Sequence, residues 1–224
     1  MMKNTYLTLF LLLLTGQLFA QQNGSPYYGF RLGLTAHPTL GWVKPEVGKS
    51  EGLALGFSYG LLGDFNFAEN YSFATGLTIT TINGKSTEVN ARPYYNPADG
   101  NNVAYDLRYR LQYIEVPLTI KLKTNKIGPL RWYGQFGISN DFNIGAKQNA
   151  QMAGKKVEND RNISDYTKFY RAGMVVAAGG EYDLDDRTSV AIGLTFNNGL
   201  TNIVKDGDRR AKNHYVGLNL GVFF

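Results

Sequence analysis

The sequence predicts an all-β fold, specifically an eight-stranded antiparallel up-and-down transmembrane β-barrel. Three observations predict it. An export signal precedes a chain without any apolar stretch long enough for a spanning helix, apolar and polar residues alternate with period two, and short connections alternate with long ones. Composition agrees, because 26 Gly, 15 Tyr and 13 Phe in 224 residues suit strands better than helices.

The N-terminus has the three parts of a secretion signal. Lys3 supplies a positive charge, residues 6–14 form a short apolar core, and residues 18–20 precede Gln21 as a cleavage site. We expect a signal peptide of residues 1–20 and a barrel domain of residues 21–224. The apolar core is shorter than the ~20 residues of a spanning helix. The sequence contains no cysteine, which excludes a lipoprotein anchor, disulfides and thiolate metal sites.

Charge argues against nucleic acid as a partner. The formal net charge of the whole chain is +5 and the basic residues are scattered, without a basic stripe. Because no apolar run of spanning-helix length follows the signal, any membrane span must be made by strands in a closed barrel.

Alternation predicts eight strands in chain order, and an even count is typical of bacterial barrels. The first four are placed at residues 27–37, 53–67, 71–83 and 109–123, and the last four at 131–145, 168–184, 189–200 and 213–224. The eighth strand is the clearest. Its apolar face is predicted to contact lipid and comprises Val216, Leu218, Leu220, Val222 and Phe224. Its small or polar face is predicted to line the lumen and comprises Tyr215, Gly217, Asn219 and Gly221.

Connection lengths predict the orientation. Short links fall at 68–70, 124–129 and 185–186, and long polar links at 38–52, 84–108, 146–167 and 201–212. In outer-membrane barrels the short turns face the periplasm, so both termini are expected there. Aromatic residues then form two predicted girdles: Tyr28, Phe65, Phe67, Tyr71, Phe73, Trp132, Tyr182 and Phe224 at the periplasmic end, and Tyr105, Tyr109, Phe142, Phe169, Tyr170, Phe196 and Tyr215 at the outer end.

The predicted lumen is filled by side chains, as expected for eight strands. Its inward face combines glycines with nine charged residues: Arg31, Asp64, Glu115, Lys121, Arg131, Asp141, Arg171, Glu181 and Asp183. Buried charges must be paired, so we expect ion pairs between Arg131 and Glu181 and between Glu115 and Arg31.

Catalysis requires a nucleophile with a base, or a metal with its ligands. Only His37 and His214 are obvious bases, and both are predicted at the outer rim on the neighbouring first and last strands. No catalytic, cofactor-binding or metal-binding residue is predicted, and we expect that the protein is not an enzyme. A rim site near His37 and His214 is the enzymatic alternative.

Residues 113–123 combine an aromatic, Glu115, Pro117 and Lys121 in one strand, and this segment resembles the PorT-like outer-membrane β-barrel family of the Bacteroidetes. The cleavage region, the glycine-rich first strand, residues 179–182 and the terminal Phe224 extend the resemblance over the mature chain. The founding member is associated with type IX secretion, whereas most relatives have no assigned activity.

Two residues give separate predictions. Pro117 cannot donate to a strand ladder, so a β-bulge is expected near residues 115–117. The terminal Phe224 of the alternating last strand resembles the signal that the barrel-insertion machinery reads, and its deletion should impair assembly.

These patterns favour a small integral outer-membrane barrel with a structural or interaction role. Its expected partners are outer-membrane lipid, the insertion machinery, and a protein at the long loops 84–108 and 146–167. The alternatives are a component of a secretion or transport assembly and an outer-membrane enzyme. A rival fold is a periplasmic lipocalin-like barrel, whose apolar residues would face inward. The patterns do not determine the oligomeric state.

Overall fold

The computed structural model describes residues 29–96, 98, 100, 102–205 and 209–224. The predicted signal peptide and Tyr28 lie outside these residues. The described part contains nine strands: β1 Gly29–Pro45, β2 Lys49–Ala68, β3 Tyr71–Val89, β4 Ala104–Lys123, β5 Leu130–Met152, β6 Lys155–Asn162, β7 Tyr170–Asp183, β8 Ser189–Gly199 and β9 Ala211–Phe223. A 3₁₀ turn, Ser164–Tyr166, lies between β6 and β7.

Eight of these strands form a closed antiparallel ring, in which each strand pairs with its neighbours in the chain and β9 pairs with β1. β4 pairs with β5, and β5 pairs with β7. The remaining strand, β6, pairs only with the far part of β5 and extends the wall above the ring. The predicted eight-stranded barrel is therefore confirmed, with one additional hairpin.

Apolar side chains form a belt on the outer surface of the barrel, where they point away from the lumen. Leu218 on β9 is 44% exposed and Trp132 on β5 is 55% exposed, whereas their inward neighbours Asn219 and Tyr133 are half-buried and buried. Val216 and Leu220 are exposed and Val222 is half-exposed, as the eighth strand was predicted to place them. This outward apolar belt excludes the lipocalin-like alternative.

The strands are longer than predicted at one end, which we call the loop end; the opposite end, with the links 69–70, 124–129 and 184–188, is the turn end. The predicted loop 38–52 is largely strand and turns within residues 46–48. The predicted loop 84–108 reduces to residues 90–103, and the predicted loop 146–167 contains the end of β5 and all of β6. Most outward residues of these parts are polar, such as Lys44, Arg108 and Gln151, although Leu40 is 44% exposed, and this polar outward face explains the prediction of loops.

The alternation also inverts within β4. Between Ile114 and Leu122 the apolar residues point outward, but between Tyr105 and Tyr113 they point inward and are buried. The outer girdle was therefore wrong for Tyr105, Tyr109 and Tyr215, which are all less than 4% exposed. Phe169, Tyr170 and Phe196 are exposed as predicted, and so are Phe65, Phe67, Tyr71, Trp132, Tyr182 and Phe224 at the turn end.

The expected bulge at Pro117 is absent from its predicted place. Pairing between β4 and β5 runs unbroken past Pro117, and the register shift on that side lies between Gln112 and Tyr113. On the other side the ladder with β3 passes from Thr75↔Leu118 to Thr78↔Glu115 without a change of register. Pairing is thus irregular at Pro117 only toward β3, where a gap in the ladder accommodates the missing amide.

Candidate functional site

The lumen contains an ion-pair group near the turn end, which we call the turn-end cluster: Arg31, Asp64, Lys121 and Glu181. Adjacent strands bring Arg31 and Asp64 together, since the two are register partners on β1 and β2. The Arg31 guanidinium lies 3.0 Å from Asp64 and 3.1 Å from Glu181. Lys121 Nζ lies 2.9 Å from Asp64 and also contacts Glu181. Two cations and two carboxylates therefore compensate one another in a buried site.

Two aromatic rings complete the turn-end cluster. Lys121 Nζ lies 4.6 Å from the centre of the Tyr133 ring, and Arg31 and Lys121 each lie 4.8 Å from that of Phe223. Phe223 is a large apolar residue on the inward face of β9, which otherwise carries small or polar residues between positions 217 and 221. Its position is explained by the attraction between a ring face and a buried cation.

The predicted ion pairs are corrected by these contacts. Arg131 and Glu181 are register partners, as expected from adjacent strands, but Arg131 lies nearest Asp183, at 3.7 Å. Arg31 pairs with Asp64 and Glu181, not with Glu115. Alternation gives the face on which a side chain lies, whereas the reach of a side chain across the lumen selects its partner.

A second polar group, the central cluster, lies farther toward the loop end. Arg171 is 0% exposed and pairs with Asp141. Its remaining donors bind Asn197 Oδ1 at 2.8 Å and both the side-chain oxygen and the carbonyl of Asn213, at 2.5 and 2.9 Å. Every polar nitrogen of the guanidinium thus donates to a buried acceptor.

Glu115 is the second buried carboxylate of the central cluster. Its oxygens lie 2.8 and 2.9 Å from the Tyr215 hydroxyl, and it accepts a hydrogen bond of 3.3 Å from Asn197. Asn197 also donates to Ser139 at 2.9 Å. The cluster is one connected network across β4, β5, β7, β8 and β9.

A cavity of about 90 Å³ lies between the two clusters. It has room for a few water molecules, since one water needs roughly 10–15 Å³. It is too small for a solute pathway. Its polar lining includes Thr35, His37, Ser58, Asp64, Glu115, Lys121, Gln135, Thr195, Tyr215 and Asn219.

The loop end is closed by a hydrophobic core, which we call the loop-end core. Tyr105, Leu107, Tyr109 and Leu111 of β4 are buried in it against three connecting segments. These segments contribute Ala91, Ile163, Ile203 and Val204. A buried acid, Glu88, accepts a hydrogen bond from Tyr109 at 2.8 Å and pairs with Arg209. A close approach of β1 to β3 tightens this end, because a Cβ on Gly84 would lie 2.6 Å from the Val43 amide nitrogen.

The two histidines do not form a rim site among the described residues. His37 is buried in the lumen, with Nδ1 3.0 Å from the Thr35 hydroxyl, so its predicted place at the rim is wrong. His214 lies nearer the loop end, stacks on Trp42 at 5.4 Å and accepts the Gly199 amide at 3.2 Å. Their strands are neighbours as predicted, but His214 pairs with Trp42, five residues and roughly 16 Å along β1 from His37.

Sequence reasoning missed part of this interior. It identified the charged residues but not Asn197, Asn213 and Tyr113, which complete the central cluster. It also missed the loop-end core. The available signal was the inverted alternation of residues 105–113, in which apolar residues occupy the positions that point inward.

Comparison with known proteins gives one family. A family model described as "Outer membrane protein beta-barrel domain" matches residues 19–205. No curated protein matches the sequence. Within the described residues, no helix has the length and apolar character needed to cross a membrane.

Several solved structures are similar in part. Neisserial surface protein A is 13% identical, with a TM-score of 0.45, over 90% of this chain and 98% of its own. The outer membrane protein OprG from Pseudomonas aeruginosa is 10% identical, with a TM-score of 0.45, over 88% of this chain and 96% of its own. The attachment invasion locus protein Ail of Yersinia pestis is 12% identical, with a TM-score of 0.34, over 87% of this chain and 98% of its own.

Proposed function

This chain belongs to the outer membrane protein beta-barrel domain family, and we propose that it is an integral barrel with a structural or interaction role rather than a channel or an enzyme. The filled lumen is the observation that carries the proposal. From the periplasmic to the outer end, the turn-end cluster, the central cluster and the loop-end core occupy the interior in succession. The residual cavity of about 90 Å³ supports a closed barrel.

The interaction role is assigned to the wall that rises beyond the apolar belt. The predicted partner segments 84–108 and 146–167 contribute the far ends of β3, β4 and β5 and all of β6 to it. A paired sheet presents its side chains in fixed positions, which suits recognition better than a flexible loop does. The outward residues of this wall are polar, such as Thr87 and Gln151.

Conductance tests the closed lumen. Purified protein reconstituted in planar bilayers is expected to give no steady channel. A stable single-channel conductance that persists with the loop end intact would favour the transport alternative and contradict the proposal.

Cross-linking in living cells tests the interaction role. A photo-reactive amino acid at Gln151, on the outer wall, is expected to give a discrete protein adduct. The same group at Leu118, in the apolar belt and 39% exposed, is the matched control and should give lipid adducts only. A second probe at Thr87, on the same wall, is expected to behave like the probe at Gln151. Absence of a protein adduct from both positions would contradict a protein partner there.

The PorT-like resemblance supports membership of a secretion assembly as the second candidate. Its characteristic residues have structural positions in this barrel, since Glu115 belongs to the central cluster and Lys121 to the turn-end cluster. The motif is therefore accounted for by the lumen without a secretion role. Cross-linked adducts that prove to be secretion proteins would favour the assembly. The enzymatic alternative has less support, because His37 and His214 lie apart.

Export and insertion are part of the same proposal. We expect cleavage of residues 1–20 and recognition of Phe224 by the insertion machinery. Deletion of Phe224, which is 58% exposed and directly follows β9, should reduce the heat-modifiable folded form in the outer membrane. An undiminished folded fraction would contradict that role.

A further inference from the structure

The outward face of β4 changes character at Gln112. Toward the turn end its outward residues are apolar, from Leu122 to Ile114; toward the loop end they are Gln112, Arg110, Arg108 and Asp106. At a tilt of ~40°, Arg110 and Arg108 lie roughly 10 and 15 Å beyond Ile114. Long basic side chains reach several ångströms back toward the membrane surface. These cations therefore stand at the outer edge of the lipid belt.

Three like-charge pairs lie directly opposite one another on this outer face. Lys85 of β3 is the register partner of Arg108, and Arg110 is the register partner of Lys147 on β5. On the other side of the barrel, Lys44 of β1 is the register partner of Lys212 on β9. Like charges directly opposite each other destabilise a sheet. A pair that the protein does not itself neutralise therefore favours binding of an external negative charge.

The protein itself neutralises only one pair among the described residues. Asp160 lies 3.0 Å from Arg110 and 2.8 Å from Lys147. Lys85 and Arg108 make no ion pair with a described residue, and neither do Lys44 and Lys212. Glu51 and Asp106 line the same surface pocket as Lys85 and Arg108. Glu51 pairs with Lys49 at 3.8 Å, and Asp106 accepts a hydrogen bond from Thr87 at 2.7 Å.

We propose that the Lys85–Arg108 and Lys44–Lys212 pairs bind phosphate groups of the phosphorylated glycolipid in the outer leaflet. The pairs continue an established lipid-facing surface, and Leu53 and Leu55, which are 57% and 68% exposed, lie beside the first pair on β2. A phosphate bridging two cations removes their repulsion and adds charge-assisted hydrogen bonds. Bound glycolipid would thus anchor the barrel laterally and fix its depth.

Native mass spectrometry with added lipid tests this proposal. The probes are a bis-phosphorylated lipid A and the same lipid after enzymatic dephosphorylation, each titrated into the purified full-length mature barrel in detergent. Lys85→Gln with Arg108→Gln is expected to weaken binding of the phosphorylated lipid by roughly 30-fold, since two surface cations are removed. Lys44→Gln with Lys212→Gln is a second, independent variant with the same expectation.

The matched control is Lys155→Gln with Lys156→Gln, which removes the same charge from exposed positions at the tip of the β5–β6 hairpin, away from the belt. It should leave lipid binding unchanged. Equal binding of the phosphorylated and dephosphorylated lipids would overturn the proposal. An equal loss in the control variant would also overturn it, because net charge alone would then explain the binding. Neither outcome bears on the conductance or cross-linking tests of the closed barrel.

Discussion

Replacing Arg171 by Met tests whether the central cluster stabilises the closed barrel. The guanidinium is fully buried, and the substitution leaves four acceptors without their donor: the Asp141 carboxylate, the Asn197 side chain, and two oxygens of Asn213. It also leaves two buried carboxylates, Asp141 and Glu115, without the cation between them.

The expected loss is large because Arg171 is the cation beside both carboxylates, and the other described donors to them, the Ser139 and Tyr215 hydroxyls and the Asn197 amide, are neutral. Removing one partner of a buried ion pair costs about 3–5 kcal/mol, and each orphaned acceptor alone costs about 1–3 kcal/mol before relaxation. We therefore expect the free energy of unfolding to fall by about 3–5 kcal/mol. Adding Asp141→Asn to Arg171→Met should recover part of this loss, with a coupling of at least about 1 kcal/mol.

The assay is equilibrium urea unfolding of the reconstituted barrel, followed by fluorescence of its two tryptophans, Trp42 and Trp132, which report on opposite ends. Arg161→Met is the matched control, because its ion pair with Glu158 is 3.6 Å long and about half-exposed. That control should lose less than about 1 kcal/mol. If Arg171→Met loses no more than the control, the central cluster is not a stabilising element and the reasoning fails.

Three further predictions follow from individual contacts. Tyr215→Phe removes the hydroxyl bound to Glu115 and should cost about 1.5–3 kcal/mol in the same urea assay; an unchanged midpoint would contradict it. Gly84→Val places a side chain against the Val43 backbone and should destabilise the loop-end core by about 1–3 kcal/mol, whereas Gly134→Val, at a strand position with open space around a Cβ, should have a smaller effect. The hydrogen bond from Lys147 lowers the pKa of Asp160 below its ordinary value of 3.8. This carboxylate therefore stabilises the β5–β6 hairpin at pH values above 3.8, and the stabilisation is lost as the pH falls through the lowered pKa. A carboxyl titration by NMR with a midpoint at or above 3.8 would refute the prediction.

Much of the fold followed from local pattern. Period-two alternation assigned Leu218 and Trp132 to the outside and Glu115, Lys121 and Arg171 to the inside, and the structure confirms these faces. The assignment succeeds because successive side chains of a strand must point to opposite faces, whatever the rest of the chain does. Ring closure between β1 and β9 was predicted from the absence of a spanning helix, because a sheet within a membrane cannot leave an unpaired edge.

The strand ends at the loop end were harder to predict. Alternation there has the opposite sense, with Leu107 and Leu111 inside and Arg108 and Arg110 outside. Beyond the lipid belt the outward face meets water, so the ordinary soluble pattern returns. The alternation with apolar residues on the outward face therefore does not continue into these segments, and the sequence pattern predicts loops there.

The sequence by itself determined the class of fold, the face of each strand residue and the presence of charges in the lumen, since these depend on covalent geometry and on the solvent at each face. Only the tertiary structure decided that Arg31 binds Asp64 and Glu181, that Arg171 sits among Asp141, Asn197 and Asn213, and that Tyr105 and Tyr109 close the loop end. These contacts join residues far apart in the chain. Their partners are set by the stagger of the closed barrel and by how far each side chain reaches across the lumen, and neither quantity can be inferred from local sequence periodicity.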